Sequence, residues 1–249
     1  MGSKKGKIIT LSSFKGGTGK TITLLNLAGV LEKMNKKVLL VDLNFESGDL
    51  SIVLNTNMNK NIFNIVDDIS NNRFKDYKEY VVNVSDNIDL VNSLKDPRQA
   101  TNIDMHYIEI FLNHVSYKYD VILVDTTHGF SETTVTAMDV SDENIILITN
   151  DIMDIKSTKT AISIMKDAKK NNYHVILNES VKLDNNYFTK FDIENIIKNN
   201  ISFVIPKKYH IKNITSYILD GKILTLNKKL DMKDKVYFDI ASKLTLEKR

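Results

Sequence analysis

Lys15-Gly16-Gly17-Thr18-Gly19-Lys20-Thr21 decides the reading of this 249-residue chain. It lies between a short apolar strand, Lys7 to Phe14, and a helical stretch, Thr21 to Asn35, whose Leu24, Leu27, Ala28 and Leu31 share one face. Strand, glycine-rich turn and helix is the order a phosphate site needs. Glycines let successive backbone N–H groups turn inward around anionic oxygens, and the helix N-terminus adds its partial positive charge. On this pattern Lys20 reaches the β and γ phosphates of a nucleotide and the Thr21 hydroxyl ligates magnesium. A glycine-rich turn with a solvated lysine is the alternative, and the strand before it and helix after it argue against that.

Working outward, apolar runs alternate with helical patterns. Lys37 to Asp42 and Tyr119 to Asp125 each end in an acid, and Asn144 to Thr149 and Tyr173 to Leu177 flank a helical pattern at Ile155 to Lys169. Uniformly apolar strands separated by helices predict a doubly wound α/β fold, a mainly parallel sheet with helices on both faces, as in P-loop NTPases. Ligands gather at the C-terminal strand ends in that architecture, which brings Lys15, Asp42 and Asp125 to one edge. Asn55 to Asn61 and Asp184 to Tyr187 are polar but mark no linker, so one domain over residues 1–249 is expected. Tyr107, Ile108, Phe111, Leu112 and Val115 form a helical apolar face, read as core packing.

Composition narrows the function. With 42% hydrophobic and 26% charged residues the chain reads as globular. The absence of cysteine removes disulfides, thiolate nucleophiles and iron-sulfur clusters together. No run approaches a membrane span and the N-terminus lacks a secretory core, so the expected address is cytoplasmic. A formal charge of +3 does not by itself imply nucleic acid. His106, His114, His128, His174 and His210 show no His-x-x-x-His zinc spacing, and only His128, three residues after Asp125, is a candidate for more.

The loop motif resembles that of the ParA/MinD group of P-loop ATPases, whose deviant Walker A sequence is Lys-Gly-Gly-x-Gly-Lys-Thr. The likeness continues through Val41 to Leu50, Asp96-Pro97, Asp120 to Phe130, Ala137 to Thr149, and Ile205-Pro206 with Gly221. Gly48-Asp49-Leu50 and His128-Gly129-Phe130 look most like the CpaE/TadZ branch, associated with pilus assembly and polar positioning. Members of that branch carry a receiver-like domain ahead of the ATPase, whereas the first strand here begins almost at the N-terminus.

The resemblance implies ATP and magnesium as cofactors and an ATP-dependent homodimer. Lys15 becomes the signature lysine that reaches the nucleotide of the other subunit. Gly16, Gly17, Thr18, Gly19 and Ile22 complete the phosphate-binding stretch, with Asn178 at the base edge and Pro206 beside it. Asp42 takes the switch position near magnesium, and Asp125, ending an apolar strand, suits holding that ion through water, a strand-end turn carboxylate being the alternative. The group has a second aspartate where this chain has Asn44. An amide accepts no proton at neutral pH, so slow or abolished hydrolysis is expected, unless Asn44 serves only the turn.

The implied role is an ATPase that positions or assembles a cellular machine, pilus or secretion components among its partners, at a pole or on the inner membrane periphery. A non-catalytic ATP-bound scaffold is a second reading. A partitioning ATPase that holds DNA is a third, with Lys207, Lys208 and Lys212 as candidates and a solvated face as the alternative. The Asp231 to Leu246 segment has apolar residues at helical intervals and reads either as a docked helix or as a membrane-surface helix.

Overall fold

The computed structural model describes residues 5–57, 60–181, 187–227 and 235–245. Asp184 to Asn186, Asp231 to Asp234 and Leu246 to Arg249 therefore lie outside the described residues. In chain order the first half runs β1 (Lys7–Ser12), α1 (Lys20–Lys33), β2 (Val38–Leu43), α2 (Asp49–Val53), α3 (Ile62–Ser70), β3 (Val82–Ser85), β4 (Ile88–Val91), α4 (Met105–Val115) and β5 (Val121–Thr126). The second half runs α5 (Glu132–Val140), β6 (Glu143–Ile148), α6 (Ile152–Asp167), β7 (Tyr173–Asn178), α7 (Lys190–Ile197), β8 (Ile201–Ile205), α8 (Ile214–Asp220), α9 (Leu224–Asn227) and α10 (Lys235–Thr245).

Among the described residues the strands form one eight-stranded sheet in the order β3-β4-β2-β5-β1-β6-β7-β8. Every pairing is parallel except that of β3 with β4 at one edge. Side chains alternate across a strand, and the two faces carry separate cores. Ile9, Leu11, Leu40 and Leu123 join α1 and α10 on one face, whereas Ile8, Leu39, Val41 and Val124 join α3 and α4 on the other. The expected doubly wound fold is the observed one.

Register sets the site. Asp42 of β2 lies opposite Asp125 of β5, and Leu11 of β1 lies opposite Asp125 on the other side. The turn after β1 therefore emerges beside both acids.

Boundaries differ from expectation where side chains intervene. β1 stops at Ser12 rather than Phe14, because the Ser13 hydroxyl donates to the Lys15 carbonyl at 3.0 Å and the Ser13 carbonyl accepts from Gly129 N–H at 2.9 Å. α6 starts at Ile152 rather than Ile155, because the Asp151 carboxylate caps the Met153 and Asp154 N–H groups. The predicted face of α4 is buried at Ile108, Phe111, Leu112 and Val115, with Tyr107 only partly covered. Strands β3, β4 and β8 have no counterpart in the sequence reading, since each is five residues or fewer and β3 is mostly half-exposed.

Candidate functional site

The turn between β1 and α1 owes its shape to backbone conformations that only glycine adopts freely. Gly17 has φ +75° and Gly19 φ +82°. A Cβ on Gly19 would also lie 2.7 Å from the Asn178 side-chain nitrogen, so bulk is excluded there twice over. Gly19 opens α1 without a side-chain cap, and no acidic residue occupies the first turn. The first N–H groups of α1 are thereby left for an anion rather than for the helix's own side chains.

Below the turn, Thr21 Oγ1 donates to Asp125 Oδ2 at 2.8 Å. Lys20 Nζ lies 3.3 Å from Asp125 Oδ1 and also donates to the Thr126 carbonyl. Asp125 and Asp42 are both fully buried. Burial and the neighbouring Asp125 charge push the Asp42 carboxyl well above the usual carboxylate range. Backbone N–H groups of Leu50 and Asn44 pull the other way, at 3.0 and 2.9 Å. One hydroxyl and two carboxylates form an all-oxygen donor set of the kind that suits a hard cation such as magnesium. Among the described residues no three His, Cys, Asp or Glu side chains are grouped to hold a metal.

Above the acids opens a cleft of about 340 Å³, lined along the turn by Ser13 and Lys15 through Ile22. Asn44, Glu46, Ser47, Asp49 and His128 complete its lining. Nearly every predicted phosphate-binding residue thus shares one wall. Asn44 donates through its amide to Ser47 Oγ at 2.7 Å and to Asp49 Oδ2 at 3.2 Å. His128 stands 4.0 Å from Glu46. Phe14 faces Phe130 with ring centroids 4.7 Å apart, tying the turn to the segment after β5.

Three predicted residues lie outside that phosphate-binding stretch or make contacts of their own. Lys15 is half-buried on its own subunit and pairs with Asp151 at 2.6 Å, a contact that holds the Asp151 carboxyl below its ordinary range. Asn178 lies outside the cleft lining, 3% exposed, with its amide donating to the Thr18 carbonyl at 2.9 Å and its oxygen accepting from Ser180. In this structure it struts the turn. Pro206 follows β8, whose Ile205 pairs with Asn178, so the two expected base contacts are neighbours.

The sequence reading missed Asp151, Ser47 and Asp49 as members of the site. Asp151 carried a weak signal, an acid four residues ahead of the helical pattern read from Ile155. Ser47 and Asp49 fell within the family-like stretch Val41 to Leu50, but their place beside Asn44 comes from a folded loop rather than from spacing.

Known proteins share the fold that carries this arrangement. The family model described as AAA domain matches residues 6–176. An uncharacterised ATP-binding protein of Methanocaldococcus jannaschii is 25% identical over 211 residues, 83% of this chain and 76% of its own length. The fold is similar to that of a ParA family ATPase from Chlorobium tepidum TLS, with a TM-score of 0.82 at 22% identity, over 94% of this chain and 98% of that one. It is also similar to the septum site-determining protein MinD of Pyrococcus horikoshii OT3, solved with Mg-ADP, with a TM-score of 0.78 at 23% identity over 96% of each chain. A glycine turn carrying Lys20 and Thr21 onto a strand-end acid, inside that fold and that match, means that the chain belongs to the AAA-domain family and has the fold of the ParA/MinD P-loop ATPases.

Proposed function

We propose that the chain is an ATP- and magnesium-dependent dimerising switch of slow turnover, which positions or assembles a cellular machine, pilus or secretion components being the partners its deviant Walker A and CpaE/TadZ-like segments suggest. The observation that carries the reading is the Thr21 to Asp125 hydrogen bond of 2.8 Å with Lys20 on the same carboxylate. This is the arrangement in which a triphosphate would draw Lys20 off the acid and leave hydroxyl and carboxylate to a magnesium ion. Thr21 would bind that ion directly, Asp125 and Asp42 through water, and the ion would neutralise charge developing on the phosphates. Gly16 to Gly19 and the first turn of α1 would hold the phosphate oxygens by backbone N–H groups.

Asn44 supports slow turnover. It stands where the related ATPases place an acid, and its amide can orient a water but take no proton from it. Lys15, reaching a second subunit's nucleotide, would have to leave Asp151, so dimer formation and the breaking of that ion pair are one event.

Calorimetry with magnesium and ATP tests the base of this reading. Micromolar or tighter uptake is expected from the intact chain and none from Lys20→Ala. Intact protein that takes up no nucleotide would remove the proposal.

A further inference from the structure

The cleft contains a second candidate for the work Asn44 cannot do. Of the residues lining it, Glu46 and Asp49 alone carry carboxylates. Asp42 and Asp125 lie beneath, and their oxygens already accept from Asn44 N, Leu50 N, Thr21 and Lys20. Glu46 is 67% exposed, with the His128 ring at 4.0 Å.

Asp49 is held far more firmly. Asp42 accepts N–H bonds from Asn44 at one end of the loop and Leu50 at the other, so one buried carboxylate ties both ends together. Between them Gly48, with φ +59°, donates its N–H to the Asn44 carbonyl at 2.9 Å, and Ser93 Oγ donates to the same carbonyl at 2.9 Å. The loop closes on itself and sets the Asp49 carboxylate 3.2 Å from the Asn44 amide nitrogen, and Asp49 lines the same cleft as Lys15 to Thr21. With its backbone fixed by the closed loop and its carboxylate held by the Asn44 amide, Asp49 is constrained in the way proton transfer requires.

We propose that Asp49 is the proton acceptor for the residual hydrolysis, with the Asn44 amide holding the Asp49 carboxylate and its side-chain oxygen orienting the attacking water beside it. The inference rests on the ATPase reading given above. In the step, the water oxygen bonds to the γ phosphorus. The bond from that phosphorus to the β–γ bridging oxygen breaks with its electron pair kept by ADP. The water proton passes to the Asp49 carboxylate and from there to solvent. The acid the related ATPases carry at position 44 is thereby replaced by one five residues along the same loop.

The test is a cycle of variants read by single-turnover phosphate release with MgATP, beside calorimetry. Asp49→Asn is expected to lower the rate about 10²-fold with ATP affinity retained, and Asp49→Glu to recover part of it. In the background of Asn44→Asp, the Asp49→Asn change should cost no more than about threefold, because a carboxylate at position 44 makes the second one redundant. Equal losses in both backgrounds would mean a structural role and overturn the proposal. So would unchanged release by Asp49→Asn, loss of ATP binding by Asp49→Asn and Asp49→Glu alike, or a collapse of release in Glu46→Gln. Wild-type release no faster than that of Lys20→Ala also overturns it, yet leaves the nucleotide-binding reading standing if calorimetry still registers ATP.

Discussion

Asn44 is 6% exposed and bonded on three sides, through its N–H to Asp42, its amide to Ser47 and Asp49, and its carbonyl to Ser93 and Gly48. An aspartate there would keep the backbone bonds and exchange a donor for an acceptor beside Asp49. Asn44→Asp is therefore expected to fold normally and to release phosphate faster, by about 10²- to 10⁴-fold if the missing acid is the limit, or roughly 3 to 5 kcal/mol of barrier. An unchanged rate in a phosphate-release assay counts against the assignment. Asn178 presents a different case. Its amide satisfies the Thr18 carbonyl, so Asn178→Ala should strand a buried acceptor and cost about 1 to 3 kcal/mol of stability in a denaturant titration. Affinity for ATP and GTP should fall in parallel if the residue acts as a strut. A selective loss of ATP would restore the base-edge role expected from the family likeness.

The site hangs on α1, and α1 is buried from Thr23 to Leu31 because other helices cover what would otherwise be its solvent face. Gly29 permits the approach of α9. A Cβ there would lie 2.4 Å from Thr225 Oγ1 and 2.8 Å from Ile223 Cγ2, and that threonine hydroxyl donates to the Asn26 carbonyl at 2.9 Å. Gly29→Ala gains about 1 kcal/mol of helix propensity but meets an overpacking cost of about 1 to 3 kcal/mol, so net destabilisation is expected in thermal unfolding. A rise in melting temperature would show that α9 gives way. α10 closes the same face. Its Tyr237, Ile240, Ala241 and Leu244 are buried against α1 and β8, with Tyr237 edge-on to Tyr209 at 5.0 Å between ring centroids. Among the described residues the apolar stripe of this segment is spent on the core rather than on a lipid surface. No described helix is long and apolar enough to cross a membrane.

For the whole chain, the proposed switch lies between two arrangements of Lys15, one on Asp151 of its own subunit and one on a partner's nucleotide. Lys15→Ala should bind MgATP but elute as a monomer, while the unaltered chain shifts to a dimer with MgATP in light scattering coupled to sizing. A variant that dimerises as readily as the wild type would sever Lys15 from assembly. Much of this was legible beforehand. The Lys15 to Thr21 turn, the acids closing β2 and β5, and the uniformly apolar strands follow from chain-local rules, since glycine conformation, strand period and helix N-termini depend on neighbours a few residues away. The strand order, the pairing of Asp42 with Asp125, the Lys15 contact with Asp151 and the loop that sets Asp49 beside Asn44 were decided only when distant segments met. Side-chain contacts across tens of residues leave no periodicity along the chain, because they are selected by the shape of the closed sheet and not by local preference.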